Sequence, residues 1–182
     1  MKQFIFKSSM LVAGLVFLFS CQPREIKGPY LATGIKIGEV TQNEAIIWVR
    51  LTENQERIGE EAPMPTVKYK DPETGDTIKP RGRPNMTPVV IYPKGYNVNN
   101  IEGATPGSEG QVRLNYKAKD ADSWKVLDWQ QVNPERDYTH QFKLSKLSPG
   151  EEYKLMVEAS PLKRKTVSDT IHGKFKTAPA PD

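Results

Sequence analysis

Short apolar runs separated by turn residues fill most of the chain beyond residue 27. Their β-branched and aromatic residues predict strands rather than helices. Alternation supports this, since Val112, Leu114 and Tyr116 would share one face of a strand. About seven strands separated by turns predict an all-β sandwich, with no helix after residue 20. The predicted strands are Leu31–Ile37, Ala45–Leu51, Gln111–Tyr116, Trp124–Trp129, Thr139–Leu147, Glu152–Ala159 and Thr170–Thr177.

A long proline-rich segment, Glu53–Glu109, interrupts this pattern. It holds eight of the 15 prolines of the chain, and proline at that density argues against helices and central strands. Two short extended pieces are expected inside it, Thr66–Lys70 and Val89–Tyr92. The turn residues Asp71–Asp76 could begin a hairpin between them. We therefore expect one domain that carries a long insertion at 53–109.

The first twenty residues have the pattern of a bacterial export signal. A short positive segment, Met1–Lys7, precedes the apolar run Met10–Phe19, which is too short to span a bilayer. The sequence Leu18-Phe19-Ser20-Cys21 resembles the lipobox of bacterial lipoproteins, whose cysteine is acylated after the preceding peptide is removed. The resemblance implies a signal peptide at 1–20, a lipid anchor at Cys21 and a flexible tether over 21–27. It also implies a membrane-anchored protein of the bacterial cell envelope.

The amino-acid composition excludes most classes of binding and catalytic site. Without residues 1–20, which carry two lysines and no acidic residue, the formal net charge falls from +4 to +2, so binding to nucleic acid is not expected. A single cysteine excludes internal disulfides, and two histidines, His140 and His172, exclude most histidine-rich metal centres. There is no phosphate-binding glycine loop and no nucleophile elbow. The sequence predicts no catalytic residue, no metal ligand and no cofactor.

Two segments resemble fibronectin type III domains, which are immunoglobulin-like β-sandwiches. Leu147–Val157 resembles the corner and strand in which a tyrosine hydrogen-bonds back to the turn. Tyr153 would be that tyrosine and would point inward. Val40–Trp48 resembles an earlier strand of the same fold, which would place Trp48 in the core. The resemblance therefore implies Trp48 and Tyr153 as structural core residues.

The likeness extends to an enzyme family. Gly28–Thr41, Ile46–Leu51 and Gly173–Pro181 resemble the N-terminal domain of PhoD-like phosphatases, the alkaline phosphatase D family. In that family a fibronectin-like domain is followed by an Ala/Pro linker and a metallophosphoesterase domain. The resemblance implies the domain at 28–177, the start of the linker at 178–182, and a catalytic domain that this sequence lacks. The similar N-terminal domain of purple acid phosphatases is the alternative, because Tyr138-Thr139-His140 fits it as well.

The resemblance implies a non-catalytic module of an exported phosphoesterase, and the ending at Asp182 is expected to reflect a truncated or split gene. The phosphatase activity would belong to the parent family and not to this chain. The alternative is a free-standing lipid-anchored module that binds glycan or protein at the cell envelope. The expected partners are the membrane, through Cys21, and a phosphatase catalytic domain, and the chain is expected to be a monomer.

The strand Ala45–Leu51 predicts where such a domain would dock. It is apolar on both faces, whereas a sandwich strand with one face in water should alternate with polar residues. With Ile46 and Trp48 in the core, the second face needs a cover. We expect the insertion to supply part of it and the absent catalytic domain the rest. Ile47 and Val49 would then form an interdomain interface and stay partly exposed in this chain.

Overall fold

The structure, a computed structural model, describes residues 27–78, 86–163 and 166–181. The expected signal peptide, Cys21 and most of the tether lie outside the described residues. The described strands, in chain order, are β1 (Lys36–Gly38), β2 (Ala45–Arg50), β3 (Thr66–Lys70), β4 (Thr77–Ile78), β5 (Thr87–Ile91), β6 (Gln111–Ala118), β7 (Lys125–Val126), β8 (Gln130–Gln131), β9 (Thr139–Leu144), β10 (Glu152–Ser160) and β11 (Asp169–Lys176). A 3₁₀ turn at Pro134–Arg136 precedes β9.

Two antiparallel sheets form the predicted sandwich. The first has the order β1-β2-β9, and the second has the order β11-β10-β6-β7, with β8 also paired to β6. The core lies between them, where small and branched side chains of β2 and β9 meet those of β6 and β10. Leu114, Leu155 and Val157 of the second sheet are fully buried there. The expected all-β, fibronectin type III-like sandwich is confirmed.

The faces of β2 are the reverse of the prediction. Ile47 and Val49 are each 0 % exposed, so they are core residues and not a surface for another domain. The second sheet of this chain covers them, and neither the insertion nor a missing domain is needed. Ile46 and Trp48 lie on the outer face and are only half-buried. The prediction was wrong because both faces of the strand are apolar, so hydrophobicity alone does not identify the inner one.

Tyr153 lies in the core, at the corner where the resemblance implied it. Its side chain is buried, and its hydroxyl oxygen accepts a hydrogen bond from the Ser148 backbone N–H at 2.8 Å. Its ring stacks on Phe175, with 5.4 Å between the ring centroids. The Thr177 hydroxyl closes the same corner by donating to the Ser148 carbonyl at 2.7 Å. The tyrosine therefore joins the turn before β10 to the packing between the sheets.

Three predicted strands are shorter than expected. The first is confined to β1, because a turn precedes it in which the Gly34 N–H donates to the Leu31 carbonyl at 2.9 Å. Gly34 has φ +73°, a backbone conformation that favours glycine. In the segment Trp124–Trp129 the strand is confined to β7. The strand predicted at Thr139–Leu147 ends at Leu144, before a turn in which Lys146 has φ +58°. All three differences arise where turns interrupt apolar runs.

The insertion contains a small sheet of its own, in the order β4-β3-β5, which we call the insertion sheet. The predicted piece Thr66–Lys70 is β3, and the expected hairpin turn at Asp71–Asp76 joins it to β4. Backbone hydrogen bonds hold the base of the insertion together. The N–H of Ile58 donates to the carbonyl of Ala104 and the N–H of Gly103 donates to the carbonyl of Ile58, both at 2.8 Å.

The chain enters the sandwich at the end from which the insertion leaves it. Tyr30 and Thr52 exchange two backbone hydrogen bonds, of 2.9 and 2.8 Å. The Ser168 hydroxyl, in the loop between β10 and β11, donates to the Pro29 carbonyl at 2.7 Å. The first described residues, the base of the insertion and the β10–β11 loop therefore share one end, which we call the tether pole.

The last described residues leave from the other end. The N–H of Ala178 donates to the carbonyl of Thr41 at 3.0 Å, and the N–H of Gly150 donates to the carbonyl of Ala178 at 2.8 Å. Thr41 lies in the turn before β2, whereas Thr52 follows β2. We call this opposite end the exit pole. The length of the sandwich thus separates the point where the chain enters from the point where it leaves.

Candidate functional site

A groove beside Trp48 lies between the first sheet and the base of the insertion. Trp48 is half-buried on the outer face of β2, where Lys36 of β1 and Gln141 of β9 are its direct cross-strand neighbours. The groove has a volume of about 740 Å³ and is also lined by exposed polar side chains of the insertion, including Gln55 and Arg57. The Trp48 ring and these polar groups could hold a small ligand that has one flat apolar face.

One polar atom of this groove has no partner. The Thr33 hydroxyl oxygen is buried, and among the described residues it makes no hydrogen bond. A buried hydroxyl without a hydrogen bond is energetically unfavourable, so this position lowers the stability of the domain. Nearby, Arg50 makes a two-pronged ion pair with Asp137 and donates to the Thr105 carbonyl at 2.8 Å. Arg50 thereby fixes the base of the insertion to the first sheet.

The insertion carries most of the exposed apolar side chains of the described residues. Eight of the eleven large apolar side chains that are exposed among the described residues belong to the insertion. They are Met64, Val67, Val89, Val90, Ile91, Tyr92, Tyr96 and Val98. Exposed apolar surface gathered in one region marks a site of interaction with another molecule or a membrane.

The two faces of this sheet differ in character. Directly opposed residues share a face, and the pairs Val67–Val90 and Tyr69–Pro88 make one face that carries no charge. The opposite face carries Lys68 together with Val89 and Ile91. Val67 and Val90 on the uncharged face are 39 % and 47 % exposed, and Val89 and Ile91 on the lysine face are 37 % and 40 % exposed. The two faces therefore differ in charge, and both present exposed apolar side chains.

The outer face of the second sheet offers no open aromatic platform. The guanidinium carbon of Arg113 lies 4.6 Å from the Trp129 ring centroid, and the Lys117 ammonium nitrogen lies 5.5 Å from the Trp124 ring centroid. Both tryptophan rings are half-buried beneath cationic partners. These rings therefore contribute to the packing of the sheet surface.

A charged network on the same face is satisfied internally. Glu158 accepts hydrogen bonds from Arg113 Nε at 2.6 Å and from Asn115 Nδ2 at 2.7 Å. Burial by itself raises the pKa of Glu158, but these hydrogen bonds and the Arg113 charge outweigh it, so the pKa is lowered. A carboxylate held ionised by two fixed partners joins β6 to β10. It is a structural element rather than a catalytic acid.

The two histidines lie on different sheets. His140 is in β9 and packs edge-on against Phe142, with 4.5 Å between the ring centroids. Burial lowers the pKa of His140 below its usual value. His172 is exposed on β11. Across residues 27–78, 86–163 and 166–181, no three or more His, Cys, Asp or Glu side chains gather in a way that could hold a metal ion.

The structure thus separates the predicted site residues. Ile47 and Val49 are unavailable for docking, Tyr153 is in the core, and Trp48 lines a surface groove. The insertion, which we expected to cover part of β2, carries most of the exposed apolar side chains of the described residues. The signal for it was present in the run Val89–Tyr92, but nothing in the sequence shows that this run stays uncovered.

In the described part of the chain, no helix is long and apolar enough to cross a bilayer.

A family model for the N-terminal domain of PhoD-like phosphatases matches residues 19–179. The chain belongs to this family. The match covers most of the sequence and favours the PhoD-like N-terminal domain over that of purple acid phosphatases, the alternative left open by the sequence motifs. A search of curated proteins found no match.

The chain is also similar to several solved structures. A structure of PhoD is 16 % identical with a TM-score of 0.44, and the match covers 88 % of this chain but 21 % of that one. A computationally redesigned β-sandwich protein is 10 % identical with a TM-score of 0.41, with 82 % and 90 % of the two chains covered. The sensor domain of the anti-sigma factor RsgI4 from Pseudobacteroides cellulosolvens is 15 % identical with a TM-score of 0.39, with 80 % and 92 % covered. This chain spans about a fifth of the length of the PhoD structure that it matches.

Proposed function

We propose that this chain is the non-catalytic N-terminal module of an exported PhoD-like phosphatase and is anchored to the bacterial cell envelope by lipid on Cys21. The family match over residues 19–179 carries the proposal. Support comes from the described residues, among which no group of side chains could hold the metal ions that a phosphoesterase needs. The anchor rests on the lipobox-like sequence that ends at Cys21.

The module would act as a spacer between the membrane and a catalytic domain. The tether leads into the tether pole, whereas a phosphatase domain joined after Pro181 would start at the exit pole. The longest strand, β10, has nine residues, which corresponds to roughly 30 Å at 3.3 Å per residue. A catalytic domain held at that distance would stand clear of the lipid headgroups.

The purified chain should not hydrolyse phosphate esters by itself. We expect no metal-dependent turnover of a chromogenic phosphodiester with added Ca²⁺, Fe³⁺ or Zn²⁺, because the described residues supply no metal site. A PhoD-like phosphatase with its own catalytic domain is the positive control. Metal-dependent turnover that disappears in the His140→Ala or His172→Ala variant would contradict the non-catalytic assignment.

Cys21→Ser should release the protein from the membrane or leave it unprocessed. Acyl chains on Cys21 provide the anchoring, because each buried methylene adds to the affinity for the bilayer. Mass spectrometry of the membrane fraction should find Cys21 acylated in the parent chain, and immunoblotting of cell fractions should follow the variant. Unchanged membrane retention of a correctly cleaved Cys21→Ser protein would argue against the lipid anchor.

A further inference from the structure

Most exposed apolar side chains of the described residues belong to two segments that are attached at the tether pole. Besides the eight in the insertion, Leu162 and Val167 are exposed in the β10–β11 loop, which contacts the chain entry at Pro29. Only Val126, in β7, lies elsewhere among the large apolar side chains exposed in the described residues. Exposed apolar side chains gathered in two neighbouring segments mark a surface that contacts another molecule or a membrane.

We propose that the insertion sheet and the β10–β11 loop form a second membrane-contact surface, which lies in the headgroup region of the bilayer beside the lipid on Cys21. This inference rests on the lipid anchor proposed above. The uncharged face of the insertion sheet, with Val67, Tyr69 and Val90, would enter the interface. The neighbouring tyrosines Tyr92 and Tyr96 suit this layer, since their rings are apolar and their hydroxyls stay hydrated.

The length of the tether supports a lipid surface as the occupant. Six peptide steps separate Cys21 from Lys27, and a fully extended chain of that length spans about 20 Å. Lys27 and Tyr30 line one shallow cavity together with Glu53, Asn54 and Gln55, the first residues of the insertion. The base of the insertion is therefore held within about 20 Å of the acylated residue. No other described surface is tied so closely to the anchor.

Local charge does not select a lipid class. Lys68 and Lys70 of the insertion sheet are balanced by acidic residues of its β3–β4 turn, and further acidic residues lie in the base of the insertion. Lysines beside an apolar face keep their ammonium groups at the water boundary. We therefore expect apolar contact, and not attraction to anionic headgroups, to drive the insertion.

Two protein occupants are less well supported. A second copy adding to the edge strand β5 would meet Pro88, which lacks the backbone N–H that a new strand needs. A phosphatase domain following Pro181 would begin at the exit pole, at the far end of the sandwich from this surface. Both remain distinguishable outcomes of the experiment below.

The test uses the full lipidated chain, purified from membranes and reconstituted into vesicles whose phospholipids carry bromine on the acyl chains, which quenches tryptophan on contact. The reporter variants are Val90→Trp and Tyr96→Trp, each at an exposed position of the insertion. The matched control is Val126→Trp, because Val126 is 58 % exposed but lies in β7. The tryptophan emission of the parent chain is subtracted from that of each variant, which leaves the emission of the new tryptophan. Thermal unfolding checks that all variants fold alike.

We expect the emission added by Val90→Trp and Tyr96→Trp to shift to shorter wavelength and to be quenched by brominated lipid. The shift should appear in pure phosphatidylcholine as well as in vesicles that contain phosphatidylglycerol, because apolar contact drives it. Emission added by Val126→Trp should stay unquenched. Flotation of the parent chain with the vesicles reports the anchor separately.

A chain that floats while neither insertion tryptophan is quenched would overturn the membrane-contact surface and leave the anchor standing. A chain that does not float would overturn both. If the insertion tryptophans respond only to an added phosphatase domain, or only to rising protein concentration, the proposal also fails. The surface would then be assigned to the catalytic domain or to self-association.

Discussion

Ile47→Glu should prevent the domain from folding. The Ile47 side chain is 0 % exposed and lies between the two sheets, where no described cation could pair with a carboxylate. Burying an unpaired carboxylate, even when it takes up a proton, adds several kcal/mol to the packing energy already lost. A domain of this size has about 5–15 kcal/mol of stability in total. Circular dichroism and urea titration should therefore show no cooperative unfolding transition.

Ile46→Glu is the matched control, one residue away on the same strand. Ile46 is half-buried on the outer face, where a new carboxylate can reach water, and lies directly opposite Lys143, which pairs with Glu44. We expect this variant to keep a cooperative transition, with a change in unfolding free energy of about 1 kcal/mol or less. Equal loss of folding in both variants would show that both faces of β2 are closed. Normal folding of Ile47→Glu would restore the interface that the sequence suggested.

The contrast between these two neighbours shows what the sequence could and could not predict. The position of the strand follows from the run Ala45–Leu51 and was predicted to within one residue. Its inner face could not be predicted, because period-2 alternation identifies the buried face only when the other face is polar. Here the outer face keeps Ile46 and Trp48, which the adjoining groove leaves half-exposed.

The insertion illustrates a second limit. Its hairpin could be predicted, because β3 is a clear β-prone run and the turn residues that follow it act locally. Whether Val89 and Val90 are buried or exposed could not be predicted, because apolar residues suit a segment that covers the core as well as an exposed docking surface. Tertiary position decides between these, and the insertion strands are hydrogen-bonded only to one another among the described strands. The candidate membrane-contact surface therefore became visible only with the fold.

Tyr153→Ala should cost about 3–5 kcal/mol of unfolding free energy, as truncating a buried aromatic side chain usually does. The change removes the ring that stacks on Phe175 and leaves the Ser148 N–H without its hydroxyl partner. Tyr153→Phe separates the two effects, because it keeps the ring and removes only the hydroxyl. That variant should lose about 1–3 kcal/mol, the cost of a buried donor without an acceptor.

Trp48→Ala supplies the comparison, since the resemblance to fibronectin domains implied equal importance for Trp48 and Tyr153. Trp48 is half-buried beside a groove, so truncating it removes less buried surface and creates no enclosed cavity. We expect its cost in urea unfolding to be less than half that of Tyr153→Ala. A loss as large as that of Tyr153→Ala would mean that Trp48 is packed as tightly as a core residue. In that case the groove would be closed in solution, and the outer face of β2 would be as important for stability as its inner face.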